Sequence, residues 1–281
     1  MSPERRLLDG HAHSQWSWDA SAGSMFESCR LAVEAGLAGI AFTEHADLTD
    51  WLLPEGMSIR PGWERYLNDG TLRLPQLDVE NYLASIEECR AQFPQLAILS
   101  GVEISEPHWH GDEVAALLAG GRFDRVLSSV HAGKMPGGAC EISVLFRQHP
   151  AVEVISEYLA EIVRLVETFE VQVLAHIDYA VRYWPRAAGA YDPREFEADY
   201  RRALTALAKI DAALEINTRL PLDPLIVHWW VESGGCAITL GSDSHDPATV
   251  GHGLAEAAKL ARSFGFEPST DPRSPWRGPS R

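Results

Sequence analysis

Arg6-Leu7-Leu8-Asp9-Gly10-His11-Ala12-His13 reads as a short β-strand, Arg6–Gly10, that runs straight into an HxH pair. The same arrangement recurs along the chain. Apolar, β-branched runs at Gly39–Thr43, Ala97–Ile104, Arg125–Val130, Val171–His176, Ala212–Asn217 and Cys236–Gly241 predict six further strands. Helical periodicity fills the intervals, as at Val79, Tyr82, Leu83 and Ile86, and at Ile155, Leu159, Ile162, Val163, Val166 and Phe169. Asp192-Pro193 supplies a helix start, an N-cap acid followed by proline in the first turn. Strands alternating with helices predict a parallel α/β architecture. Residues 1–266 are expected to form one domain. The proline-rich end, residues 267–281, lacks apolar periodicity and is expected to be a flexible tail.

The strand ends carry the chemistry. They read His11-Ala-His13, Thr43-Glu44-His45, Glu103, Ser129-Val130-His131, His176-Ile-Asp178 and Asp243-Ser-His245. Parallel α/β barrels place their active sites on this C-terminal rim. A single strand-end histidine is ordinarily structural, but imidazoles or carboxylates at six of seven predicted strand ends are hard to reconcile with packing. Buried charges need partners, and a metal ion is the partner that fits this set. Residues two apart share a strand face, so His11 with His13, and Asp243 with His245, can each grip one ion. Imidazole and carboxylate without thiolate suit zinc, manganese or iron better than calcium.

Composition sets the outer bounds. The chain has 281 residues with 24 Lys and Arg against 40 Asp and Glu, a formal net charge of −16. Such a balance argues against a long nucleic acid or an anionic membrane as partner, since both require clustered cations. The four cysteines, Cys29, Cys89, Cys140 and Cys236, form no CxxC pair, which disfavours a zinc ribbon. No apolar h-region and no membrane-length apolar run is present, so a cytoplasmic location is expected. Two long connections, Ala46–Asp78 and Ala132–Ala151, have the length of lids or binding loops.

His11-x-His13 with Asp19, Thr43-Glu44-His45, Glu103, His131, His176 and Asp243-Ser-His245 together resemble the PHP (polymerase and histidinol phosphatase) family over roughly residues 7–262. Leu77-Asp78, Ser129-Val130-His131 and Leu214-Glu215-Ile216-Asn217-Thr218 further resemble its histidinol-phosphate phosphatase branch. The resemblance implies a single-domain α/β fold, a distorted (β/α)7 TIM-like barrel, with two to three divalent ions of zinc, manganese or iron. It implies one site of His11, His13, Glu103 and Asp243, a second of the bridging Glu103 with His131 and His176, and a third of Asp19, His45 and His245. Glu103, His131, Asp243 and His245 would carry catalysis, and Arg182 and Arg219 would bind phosphate. The implied reaction is hydrolysis of L-histidinol phosphate to L-histidinol and phosphate by a metal-bridged hydroxide. A nucleotide or another small phosphate ester is the alternative substrate. An amidohydrolase, expected to add an eighth strand and a different fourth-strand ligand, is the less favoured alternative chemistry.

Two features depart from the family pattern. Many relatives have histidine where this chain has Asp19; a carboxylate keeps a third ion feasible, and an Asp19 turned away would leave two. His108-Trp109-His110 matches no ligand position, and loop packing is its expected role. Six tryptophans, Trp16, Trp18, Trp51, Trp63, Trp109 and Trp184, are expected in rim loops, where an aromatic wall could stack on a flat substrate group. Three carboxylates and about three divalent ions would make the pocket locally positive within an acidic chain.

Overall fold

The computed structural model describes residues 7–57 and 59–278. Arg6, placed at the start of the first expected strand, and residues 279–281 of the expected tail lie outside them. The main sheet is built from β1 (Leu8–Ala12), β2 (Gly39–Asp47), β3 (Ala97–Ser105), β4 (Arg125–Ser129), β5 (Val173–Leu174), β6 (Ala213–Asn217) and β7 (Ala237–Gly241). These strands lie side by side in chain order and pair in parallel. They carry buried residues on both faces, β2 being buried along its whole length, as expected of strands covered on one side by helices and on the other by their own curled interior.

A helix follows each parallel strand. In order these are α1 (Met25–Glu34), α2 (Val79–Gln92), α3 (Gly111–Ala119), α4 (Ala151–Thr168), α5 (Glu197–Lys209), α6 (Pro224–Glu232) and α7 (Leu254–Ser263). In α4, Ile155, Leu159, Ile162 and Val166 of the predicted stripe are buried, so the 3.6-residue period correctly marked the core-facing side. Asp192 accepts from the Arg194 backbone N–H and opens a 3-10 turn, Pro193–Phe196, that leads into α5.

The sheet curls until its two ends meet. Asp243 donates its N–H to the His11 carbonyl at 2.8 Å, and His13 donates to Ser244 O at 2.7 Å. Asp9, fully buried on β1, accepts from Ser242 N, Ser242 Oγ and Gly251 N. The mixed α/β domain is thus tied shut at the rim that the predicted ligands occupy.

One expectation changes. The proline-rich end is not free: Trp276–Arg277 forms β8, antiparallel to β7, and Trp276 is 7% exposed. Its lone indole packs into the core cluster beneath α7, a tertiary contact that leaves no periodic trace in sequence. The two long connections, each given only the length of a lid or binding loop, come together in space. Trp51–Leu52, Leu67–Asn68 and Thr71–Leu72 from the first join Ala132–Met135 and Gly138–Glu141 from the second in one small five-stranded sheet, through the pair Trp51 and Ala139.

Candidate metal centre

Register brings the predicted residues together. His45 on β2 is paired directly with Glu103 on β3. Glu103 is completely buried, and imidazole nitrogens surround its carboxylate. Oε2 lies 3.2 Å from His11 Nε2, 3.5 Å from His13 Nε2 and 3.2 Å from His45 Nδ1. Oε1 lies 2.7 Å from His176 Nε2 and 3.3 Å from His131 Nε2. Asp243 Oδ1 closes the His11–His13 side at 3.8 and 3.5 Å. Further out, Asp19 turns inward, with its oxygens 3.5 Å from His45 Nε2 and 3.2 Å from His245 Nε2. His45 and His245 face each other at 3.3 Å. All nine predicted ligand positions therefore lie in one connected cluster. Within it, His11–His13–Asp243, His11–Glu103–His176, His13–His45–His245 and His45–Asp47–His131 each bring three donor atoms within 4.8 Å of one another.

The hydrogen bonds behind the ligands set their tautomers. Ser17 Oγ gives its only proton to Glu44 Oε2 at 2.6 Å, so it must accept from His13 Nδ1 at 3.0 Å. Glu215 Oε1 accepts from His11 Nδ1 at 2.8 Å, and Asp47 Oδ1 from His131 Nδ1 at 2.9 Å. The Nε2 atoms of His11 and His13 consequently point at each other across 3.0 Å. Two imidazole lone pairs at that separation repel unless a cation, either a proton or a metal ion, sits between them. Asp19 Oδ1, buried and without a hydrogen-bond partner among the described residues, has the same need. The donor set therefore fits divalent metals that accept nitrogen and oxygen ligands.

Titration follows the same logic. Burial opposes a positive charge on His11, His45 and His131, but facing carboxylates overcome it. Glu215 and Glu103 raise His11, Asp19 and Asp47 raise His45 to about 9, and Glu103 and Asp47 raise His131. His13 and His176 stay low because burial dominates, reinforced at His13 by the neighbouring imidazoles. Burial alone would raise the Glu103 carboxyl; His11, His131 and His176 hold it well below its usual range.

Backbone geometry aims two of these groups. Asp243 has φ of 54° and Glu106 has φ of 45°, both left-handed and unusual for residues with a side chain. Asp243 is held there by the closing bonds to β1. Glu106, just past β3, accepts from His131 N at 2.5 Å and Ala132 N at 2.9 Å, so it fixes the backbone that carries His131. At Gly241 a Cβ would run into Glu215 Oε1 and His11 Cβ, so only glycine permits the His11–Glu215 bond.

A cavity of about 230 Å³ opens over the cluster, lined by Asp19, His45, His131, His176, Asp243 and His245 and by three arginines, Arg60, Arg182 and Arg219. Arg182 Nη2 lies 2.7 Å from Asp243 Oδ2 and Arg219 Nη1 3.3 Å from Asp243 Oδ1, so both predicted arginines reach the cluster's edge. Of the six rim tryptophans, Trp18, Trp51 and Trp63 line the cavity. Trp16 packs beside the α1–α2 core, Trp109 donates to Glu161 Oε1, and Trp184 donates to the Gly189 carbonyl. His108 bonds Glu161 at 2.6 Å and His110 bonds Thr49 at 2.8 Å; both belong to loop packing. Sequence reasoning missed Asp47, Glu106 and Arg60. Asp47 had a signal, being two residues beyond His45 on the same strand face. Arg60, within a long loop, had none.

The PHP domain model matches residues 9–219. The histidinol-phosphatase of Lactococcus lactis subsp. lactis is 30% identical over 273 residues, covering 93% of this chain and 92% of that protein. The probable histidinol-phosphatase of Thermotoga maritima is 26% identical over 271 residues, covering 93% and 94%. Among solved structures, histidinol phosphate phosphatase from Lactococcus lactis, complexed with zinc, L-histidinol and phosphate, superimposes with a TM-score of 0.74 at 27% identity, covering 93% of this chain and 95% of the other. With the match spanning β1 through the end of β6, and with the strand-end histidines and carboxylates converging as they do, this chain belongs to the PHP domain family.

Proposed function

We propose that this chain is a metal-dependent phosphomonoesterase that hydrolyses L-histidinol phosphate to L-histidinol and phosphate in the cytoplasm, a step of histidine biosynthesis. The observation that carries the reading is Glu103, whose two oxygens face separate groups of imidazoles, the arrangement of a carboxylate shared between ions. The zinc, L-histidinol and phosphate in the Lactococcus relative agree with it. The fold counts as a distorted (β/α)7 TIM-like barrel, supported by the seven strand–helix pairs and the rim bonds from β7 back to β1.

Two to three ions of zinc, manganese or iron would be held by His11, His13, Glu103 and Asp243, by Glu103, His131 and His176, and by Asp19, His45 and His245. Divalent ions in such a centre act as Lewis acids on phosphoryl oxygens and bring the pKa of water toward about 7. The protein's own residues bind and orient. Arg182 and Arg219, anchored on Asp243, offer forked donors to phosphate oxygens beside the cluster. Glu215, Ser17 and Asp47 keep His11, His13 and His131 in the tautomer that leaves Nε2 free. Trp18, Trp51 and Trp63 line the cavity over the cluster and would limit water around a bound ester.

Metal analysis of the purified protein, paired with phosphate release over a panel of phosphomonoesters, tests the proposal. More than one equivalent of metal and release from L-histidinol phosphate are expected. No release from any ester by fully metallated protein would overturn it.

A further inference from the structure

Arg60 stands apart from the other two arginines of the cavity. Arg182 and Arg219 rest on Asp243, at the cluster. Arg60 comes from the long connection after β2 and has no carboxylate partner among the described residues. Its guanidinium lies 4.7 Å from the Trp63 ring centroid, and Nη2 donates to Tyr183 Oη at 3.2 Å, on the loop after His176.

The direction of the hydrogen bonds beyond Tyr183 is fixed by chemistry. The Glu141 carboxylate accepts from Tyr179 Oη at 3.3 Å. Tyr179 has one hydroxyl proton and spends it there, so it accepts from Tyr183 Oη at 3.1 Å. Tyr183 has then committed its own proton and accepts from Arg60. Both tyrosine protons are thus spent within this chain of bonds, and neither is left to donate to a ligand. The cavity lining keeps the N–H groups of Arg60 that Tyr183 does not use, with the Trp63 ring against the guanidinium and Trp18 4.6 Å from Trp63, edge to face.

We infer that Arg60 and Trp63 form a leaving-group subsite that selects a flat ring bearing an unprotonated acceptor nitrogen. Resting on the reading of the leaving group as histidinol, that ring is the neutral imidazole, with Arg60 as the donor to its bare nitrogen. An arginine cannot lose its proton at working pH, so an imidazolium, which has no lone pair, is turned away.

The test compares metal-loaded wild type with Arg60→Met and Arg60→Lys, using L-histidinol phosphate and phenyl phosphate, a flat ester without an acceptor nitrogen. Loss of one donor to a neutral acceptor lowers the kcat/KM ratio of the first ester over the second about three- to tenfold in Arg60→Met, chiefly through KM for L-histidinol phosphate. Arg60→Lys, which keeps a donor, restores part of the ratio. An unchanged ratio in Arg60→Met, or equal losses on both esters, overturns the subsite while the phosphatase reading stands. Wild type that cleaves phenyl phosphate but not L-histidinol phosphate overturns that reading and the subsite with it.

Discussion

Glu215 Oε1 lies 2.8 Å from His11 Nδ1, joining two strands whose residues are 204 positions apart. Both groups are buried, and Glu215 also accepts from His176 N at 3.0 Å and Asn217 Nδ2 at 3.0 Å. One carboxylate therefore orients two of the proposed ligand histidines without itself facing the cavity. Replacing it with glutamine keeps the shape but weakens the hold on His11. Glu215→Gln should lower metal affinity roughly tenfold or more, read by competition with a chromophoric chelator. Wild-type affinity would show that His11 needs no such support.

Glu103 is the shared carboxylate of the proposed centre. Glu103→Ala should abolish both phosphate release and tight metal binding, measured by metal content after desalting. Metal at the wild-type level in that variant would mean that the bridge has been assigned to the wrong residue.

Asp19 contributes only to the outer group, with His45 and His245. Asp19→Ala should lose about one equivalent of metal, retain the inner ions, and lower kcat on the order of a hundredfold. An unaltered stoichiometry would leave Asp19 outside the coordination set.

Arg219 is 45% exposed at the cavity edge, so solvent weakens its contribution. Arg219→Ala should raise KM for the phosphate ester about five- to tenfold with a smaller change in kcat. Unchanged kinetic constants would demote it to a surface residue.

Metal and protons should compete. Carboxylates raise His11, His45 and His131 in the metal-free fold, so these rings carry protons at pH 7 that an incoming ion must displace. Metal uptake should therefore release protons, and affinity should climb as pH rises from 6 to 8. Calorimetry in two buffers of different ionisation enthalpy reads the proton count. Removing the metal should also lower Tm by roughly 5 to 10 °C, taking about 2.7 kcal/mol of binding stabilisation at a hundredfold excess over Kd. Metal uptake without proton release at pH 7 would contradict the charge state of these rings.

The strands and the identity of the strand-end groups were legible in the chain because both are local. Apolar periodicity marks a strand or helix from within its own window, and imidazoles or carboxylates recurring at six strand ends, unlike one alone, have few reasons to be there except a rim site. That reading placed His11, His13, His45, Glu103, His131, His176, Asp243 and His245, the family resemblance added Asp19, and the structure brings all nine together. The resemblance also pointed to Arg182 and Arg219, and both line the cavity. Boundaries were less legible: β5 is only Val173–Leu174, so His176 sits past the strand rather than at its last position.

Ring closure decided the rest. Asp9 bonding Ser242, Glu215 reaching His11 past Gly241, and Trp276 docking under α7 all join segments far apart in sequence, and no local period records such pairs. The same is true of Arg60, an unremarkable loop residue until the small sheet carries its loop to Tyr183. The sequence by itself determined which chemical groups stand on the rim. Tertiary structure alone decided which nitrogen of His11 and of His131 is free, because that is set by a carboxylate on another strand, Glu215 for the first and Asp47 for the second.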